Sequence, residues 1–352
     1  MSEPLLEVDD LTVQYQTDDG MLTATSNASF SISDGEFFGL AGESGSGKST
    51  LAKAIIGGLD DNGQVSSGTI KYRGEEIQDL SDKELSQRIR WKEISWIPQG
   101  AMSSLDPLQR VSEQALEIGN VHTDLPDEEI RDKLKETFDI VGLQESRIDD
   151  YPHQFSGGMQ QRAIIALALF LEPELVIADE PTTALDVIMQ DQIFKHLDRL
   201  KDELDVSLLL ITHDISVIFE SCDSVAIMHA SQIAERGTTN AVHANPRHPY
   251  AFMFKEAFPD IREPKRELEV IEGHPPELMG EVDFCSFADR CPWAAPECRE
   301  GAPPTESAGD DDPSHVTACV RREEAYELYQ SDTSPVDDGS SAQSIAQTGE
   351  GD

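Results

Sequence analysis

The chain has 352 residues, 68 of them acidic against 27 basic, for a formal net charge of -41. That balance excludes non-specific nucleic-acid binding, which draws its affinity from Lys and Arg neutralising phosphates. A 38% hydrophobic content excludes disorder throughout, and the length exceeds one typical domain. In chain order, residues 5–38 alternate apolar and polar positions (Leu11, Val13, Tyr15; then Ala28, Phe30, Ile32). The alternation predicts antiparallel strands turning at Asp18-Asp19-Gly20 and Ser33-Asp34-Gly35. Residues 37–41 read as a short apolar strand entering a glycine-rich turn, with a helical pattern following over 49–56. Two further buried strands are expected at 175–178 and 207–212, and strands alternating with helices imply an α/β fold with a parallel sheet. Between residues 100 and 172 the pattern is mostly helical, amphipathic over 127–138, and reads as an inserted helical subdomain.

No apolar stretch reaches the ~18 residues of a membrane helix; the longest, 163–171, stops at Glu172 and Pro173. The first residues, Met1-Ser-Glu-Pro, lack the basic start and apolar run of a secretory signal, so a cytosolic chain is expected. Beyond about residue 240 the chain gains Pro and four of its five cysteines. This gives three expected units: 1–240, a Cys-containing extension over 241–330, and a disordered tail over 331–352. That tail holds five acids and no base, about its proportional share, so the acid excess is spread over the whole chain. There are 11 Lys against 16 Arg. Dispersed acid with little Lys keeps a surface hydrated where salt is molar and the Debye length is ~3 Å, and it predicts a salt-loaded cytoplasm. The blander reading is an ordinary acidic cytosolic protein.

Gly42-Glu43-Ser44-Gly45-Ser46-Gly47-Lys48-Ser49, followed by Thr50, fits G-x-x-x-x-G-K-[ST] between a predicted strand and helix. Its glycines let backbone N–H groups converge on a phosphate, Lys48 supplies a point charge, and Ser49 can hold Mg²⁺. The strand at 175–178 ends in Asp179-Glu180. Beside a phosphate loop, the first carboxylate can hold Mg²⁺ and the second can orient the attacking water.

Phe155-Ser156-Gly157-Gly158-Met159-Gln160-Gln161-Arg162 resembles the signature motif of ABC-type ATPases. Gln99 resembles their Q-loop glutamine, Ala184-Leu185-Asp186 their D-loop, and His213 their switch histidine, all in the family's order. The resemblance implies a mainly parallel core sheet, an antiparallel β subdomain and a helical subdomain. It implies a head-to-tail dimer sandwiching two ATP, each phosphate loop facing the partner's Ser156, Gly157 and Gly158. In that arrangement Glu180 would be the general base or the water-orienting carboxylate, Gln99 would touch Mg²⁺ and sense the γ-phosphate, and His213 would contact that phosphate. Tyr15 stands where the family stacks an aromatic on adenine, although a strand aromatic can equally be core.

Asn245-Pro246-Arg247-His248-Pro249-Tyr250 resembles the His-Pro-Tyr extension of the oligopeptide, dipeptide and nickel importer ATPases, and residues 99–107 resemble that group's stretch after the Q-loop. Locally the motif reads as a turn between helices, and no catalytic role follows for His248. Cys285, Cys291, Cys298 and Cys319 are spaced C-x5-C-x6-C-x20-C. Residue chemistry leaves an iron–sulfur cluster, zinc and free or disulfide-bonded thiols open; the resemblance implies a [4Fe–4S] cluster. Cys222 reads as a small buried residue. The implied partners are a second ABC ATPase subunit (a paralogue or another copy), two membrane-spanning permeases and an extracellular solute-binding protein. The implied location is peripheral, on the cytoplasmic face of the membrane, and the charge adds a halophilic archaeal source. The competing reading is a soluble ABC ATPase of repair or regulation, which the His-Pro-Tyr extension and the cysteines disfavour.

Overall fold

The computed structural model describes residues 3–100, 103–181, 206–257, 271–309 and 311–333. Asp186 and the tail beyond residue 333 therefore lie outside the described residues. The strands are β1 (Leu6–Thr17), β2 (Gly20–Ile32), β3 (Phe37–Ala41), β4 (Gly63–Tyr72), β5 (Glu75–Glu76), β6 (Ile94–Ile97), β7 (Leu175–Asp179), β8 (Ser207–Thr212), β9 (Ser224–His229), β10 (Gln232–Thr238), β11 (Glu306–Ser307) and β12 (Val316–Thr317). The α-helices are α1 (Lys48–Ile55), α2 (Asp82–Arg88), α3 (Val111–His122), α4 (Asp127–Ile140), α5 (Gly157–Leu169), α6 (Ile215–Ser221), α7 (Thr239–Ala244), α8 (Pro249–Glu256) and α9 (Arg322–Thr333).

An antiparallel sheet in the order β2-β1-β4-β5 carries the predicted hairpin, with Thr17 opposite Gly20. A larger mixed sheet runs β11-β12-β10-β9-β3-β8-β7-β6, parallel from β9 to β6. Every residue of β3, β7 and β8 is buried, as strands covered on both faces require. β3 shows the two covers directly. Phe38 and Leu40 join the core under the antiparallel sheet and α1, whereas Phe37 and Ala41 join the core shared with the helical subdomain. Within that subdomain α4 buries Ile130, Leu134 and Phe138, spaced four apart, which is the stripe that makes it amphipathic.

β4, β9 and β10 were not anticipated. β4 buries only Ile70 and Tyr72, so it shows little hydrophobic pattern, while β9 and β10 lack the flanking motifs that marked the other buried strands. The segment after residue 240, which falls inside α7, is built onto the edge of the large sheet: Glu235 pairs with Thr317 and Arg236 with Val316. Tyr250, Phe254 and Phe287 enter the core that holds the helical subdomain. The His-Pro-Tyr motif caps α8, with Tyr250 N donating to His248 Nδ1 at 3.0 Å and Pro249 in the first turn. α9 reaches into residues 331–333, the first positions of the expected tail.

Candidate active site

Strand order assembles the site. β3, β8, β7 and β6 lie side by side and parallel, so their C-terminal ends share one edge, where ligands bind in open α/β sheets. That edge brings together residues 42–50 after β3, His213 after β8, Asp179 and Glu180 at the end of β7, and Gln99 after β6. The sequence separates these groups by as much as 171 positions, and the sheet makes them neighbours.

The loop from β3 to α1 needs its glycines. Gly47 sits at φ 104°, and a Cβ there would come within 2.0 Å of the Ala24 carbonyl oxygen. Lys48 Nζ turns inward and donates to the carbonyls of Gly42 (2.7 Å) and Glu43 (2.8 Å) and to Ser46 Oγ (3.2 Å). Burial pushes its pKa down to about 8, against the opposing pull of Glu180, Asp179 and Glu43. The first N–H groups of α1 have no intrahelical acceptor and form a ready anion site.

Glu180 is the hub of this edge. Gln99 Nε2 donates to its Oε2 at 3.0 Å, and His213 Nδ1 lies 3.0 Å from its Oε1. Its backbone is left-handed, φ 46°, with its N–H held by the Ile211 carbonyl at 2.8 Å. A non-glycine residue in this region is costly and is found where a side chain must be aimed. Asp179 is buried with Ser49 beside its carboxylate; Oδ1 has no partner, and burial raises its pKa. A buried carboxylate oxygen lacking a donor beside a serine hydroxyl is a donor set that fits Mg²⁺.

The family described as ABC transporter matches residues 25–183, and the one described as oligopeptide/dipeptide transporter, C-terminal region, matches residues 234–298. The oligopeptide transport ATP-binding protein OppD of Salmonella typhimurium is 41% identical over 319 residues, covering 90% of this chain and 93% of that protein. The chain belongs to the oligopeptide/dipeptide ABC transporter ATPases. The Streptococcus pneumoniae protein AmiE, with the same descriptive name as OppD, is 38% identical over 82% of both chains. Among solved structures, the ATP-binding cassette MJ0796, in a dimeric post-hydrolysis state with ADP and Pi, is similar over 66% of this chain and 98% of its own. Its TM-score is 0.59 and its identity 29%.

Two expected features of this ABC ATPase stand apart from the edge. Ser156, Gly157 and Gly158 open α5, and Ser156 and Gly157 are exposed. The hydrogen bonds of Ser156 stay within the helix start, from Met159 N and Gln160 N. Tyr15 lies half-buried on β1, where a Cβ on Gly63 would come within 2.6 Å of its ring, so the glycine lets the ring lie flat against the neighbouring strand.

The four extension cysteines gather in one neighbourhood, since Cys319 is influenced electrostatically by Cys285, Cys291 and Cys298. Cys285 N also donates to the Cys298 carbonyl at 3.0 Å. Burial pushes the Cys285 thiol up to about 11 and those of Cys291 and Cys319 up to about 12. Four soft thiols suit zinc or iron–sulfur, but among the described residues no group of three or more is disposed to hold a metal ion. None of the five cysteines, buried Cys222 included, is in a disulfide.

Sequence reasoning missed one part of the site. Glu43, inside the phosphate loop, is gripped by Arg290 of the extension, 247 positions away. Nothing local marks that pair.

Proposed function

We propose that this ABC ATPase hydrolyses ATP to energise peptide import through a multi-subunit transporter. One observation carries the reading: Gln99, Glu180 and His213 join in a chain of hydrogen bonds beside Lys48 and the orphaned Asp179 oxygen. The peptide-transport names of OppD and AmiE, together with the oligopeptide/dipeptide family match over residues 234–298, support peptides as the solute.

Glu180 takes the role of general base, held by Gln99 and His213 so that one oxygen can accept a proton from the attacking water. Lys48 and the N–H groups of residues 44–50, from Ser44 and Gly45 through Thr50, bind the β- and γ-phosphates, and Tyr15 offers a stacking face to adenine. Ser49, Asp179 and Gln99 would hold Mg²⁺, which when bound neutralises charge developing on the phosphates. Ser156 and Gly157, exposed at a helix start, together with Gly158 behind them, would engage the γ-phosphate of a second subunit; Asp186, outside the described residues, is assigned to nucleotide binding as well. Glu180→Gln should leave MgATP affinity within about threefold and lower turnover ~100-fold or more. Hydrolysis unchanged in a phosphate-release assay would overturn the assignment.

Two permease subunits, a second ATPase (a paralogue or another copy) and a substrate-binding protein complete the machine, with this chain peripheral on the cytoplasmic face. No helix among the described residues is long and apolar enough to cross a membrane, which fits a subunit that reaches the membrane through partners. Co-purification with two multi-span proteins, and ATPase activity stimulated by peptide in the reconstituted complex, is the expected result. A complex that responds to no peptide would refute the solute class. The four thiols are proposed as ligands of a [4Fe–4S] cluster, to be checked by iron and acid-labile sulfide in anaerobically purified protein; zinc without iron would refute it. The spread of acid supports a salt-loaded, halophilic setting.

A further inference from the structure

Among the described residues, two side chains of the extension, Tyr250 and Arg290, reach Glu43 of the phosphate loop. Glu43 N donates to the Tyr250 hydroxyl at 3.1 Å. The Glu43 carboxylate receives both arms of the Arg290 guanidinium, Nη1 to Oε2 at 2.6 Å and Nη2 to Oε1 at 2.9 Å. Such a two-pronged pair fixes direction as well as charge, which a lysine cannot reproduce.

Arg290 is itself held from several sides. Its side chain is 8% exposed. Nε donates to the Glu272 carbonyl at 2.9 Å, and Nη1 lies 3.0 Å from His229 Nε2. His229 ends β9, the strand next to β3, and is buried, and that burial keeps its ring neutral. With Nδ1 lying 3.0 Å from Ser286 Oγ, whose hydroxyl donates to the His229 carbonyl, Nε2 is left to accept from Arg290. The guanidinium is thus aimed at the phosphate loop by residues of the sheet and of the extension together.

We propose that Arg290 is a positioning residue of the ATP site that acts through Glu43. It does two things: it fixes the second residue of the loop whose carbonyls Lys48 also holds, and it cancels a carboxylate beside a pocket that must accept a polyanion. Without Arg290, Glu43 presents an uncompensated negative charge to the incoming triphosphate. A folded extension is then a condition for tight nucleotide binding, whichever solute the transporter carries.

The test uses the full chain and measures both binding of a non-hydrolysable ATP analogue with Mg²⁺ and steady-state hydrolysis. Arg290→Ala should raise KM and the analogue Kd about tenfold with kcat within about threefold, and Arg290→Lys should fall between it and wild type. Glu43→Gln placed on Arg290→Ala should recover most of the lost affinity, because the unpaired charge is gone. A merely structural arginine predicts no such rescue. If Arg290→Ala does not fold, Arg290→Lys with and without Glu43→Gln provides the same comparison. An unchanged Kd in the single variant, or a double variant no tighter than the single, would overturn the proposal. Since the readout needs no membrane partner, failure of peptide import leaves it standing.

Discussion

Lys48 shows what a single residue's surroundings do to its chemistry. A lysine on a surface stays charged to beyond pH 10; this one is buried among carbonyls, and its pKa is pushed down to about 8. The charged form is the one that attracts phosphate, so the sign follows directly. Below pH 8 the cation is present before ATP arrives, and above it the free protein must take up a proton on binding. MgATP affinity should therefore fall through pH 8 to 9, with up to about one proton taken up per ATP. Calorimetry in buffers of differing ionisation enthalpy reads that proton; affinity flat across pH 7 to 9.5 would contradict it. The lysine was legible in the sequence because glycine spacing names it. Its lowered pKa was not, since that depends on Gly42, Glu43 and Ser46 folding around the ammonium.

Elements were legible to the extent that one local pattern determined them. β3 and β8 are unbroken buried runs, and their predicted limits match those observed. β7 extends one residue further because Asp179, although charged, is still on the ladder opposite Ile211. β10 shows the opposite case: it carries a buried acid, Glu235, which no apolar pattern would place in a sheet. Tertiary structure supplies its partners, namely the backbone N–H groups of Arg247 and His248 at 2.9 and 2.5 Å and His315 Nε2 at 2.6 Å. Burial raises the Glu235 pKa while those contacts oppose it. One carboxyl thus ties β10 to the α8 cap and to the turn before β12. Glu235→Ala would strand all three partners in a dry interior, and removing one member of such a buried group costs ~3–5 kcal/mol. Glu235→Gln, which keeps an acceptor, should cost less than half as much. Urea midpoints compare them, and equal losses would mean that volume rather than hydrogen bonding holds the junction.

For the whole molecule, the charge of -41 and the nucleotide site must be reconciled. ATP arrives as a polyanion, and the local positive features are Lys48, the α1 N–H groups and Arg290, whose charge is already engaged by Glu43. At ~0.1 M salt the Debye length is about 10 Å, so acids well beyond the loop still repel the nucleotide; at ~1 M it is about 3 Å and only the loop's immediate neighbours count. The favourable contacts of Lys48 lie within hydrogen-bond distance and survive that screening, whereas the repulsion is long-range and does not. Salt should therefore remove the unfavourable part of the field selectively. The folded state gains as well, because self-repulsion of a dispersed acid excess opposes compactness. The expected outcome is a KM for MgATP that falls, and an ATPase rate that rises, from ~0.1 M KCl into the molar range, with unfolding temperature rising in parallel. Activity that peaks at low salt and declines steadily would show that the acid excess serves some other purpose. Repeating the titration with Glu43→Gln separates the scales: a lower KM with the same salt slope assigns the slope to the surface as a whole, and a flattened slope would place it in the loop.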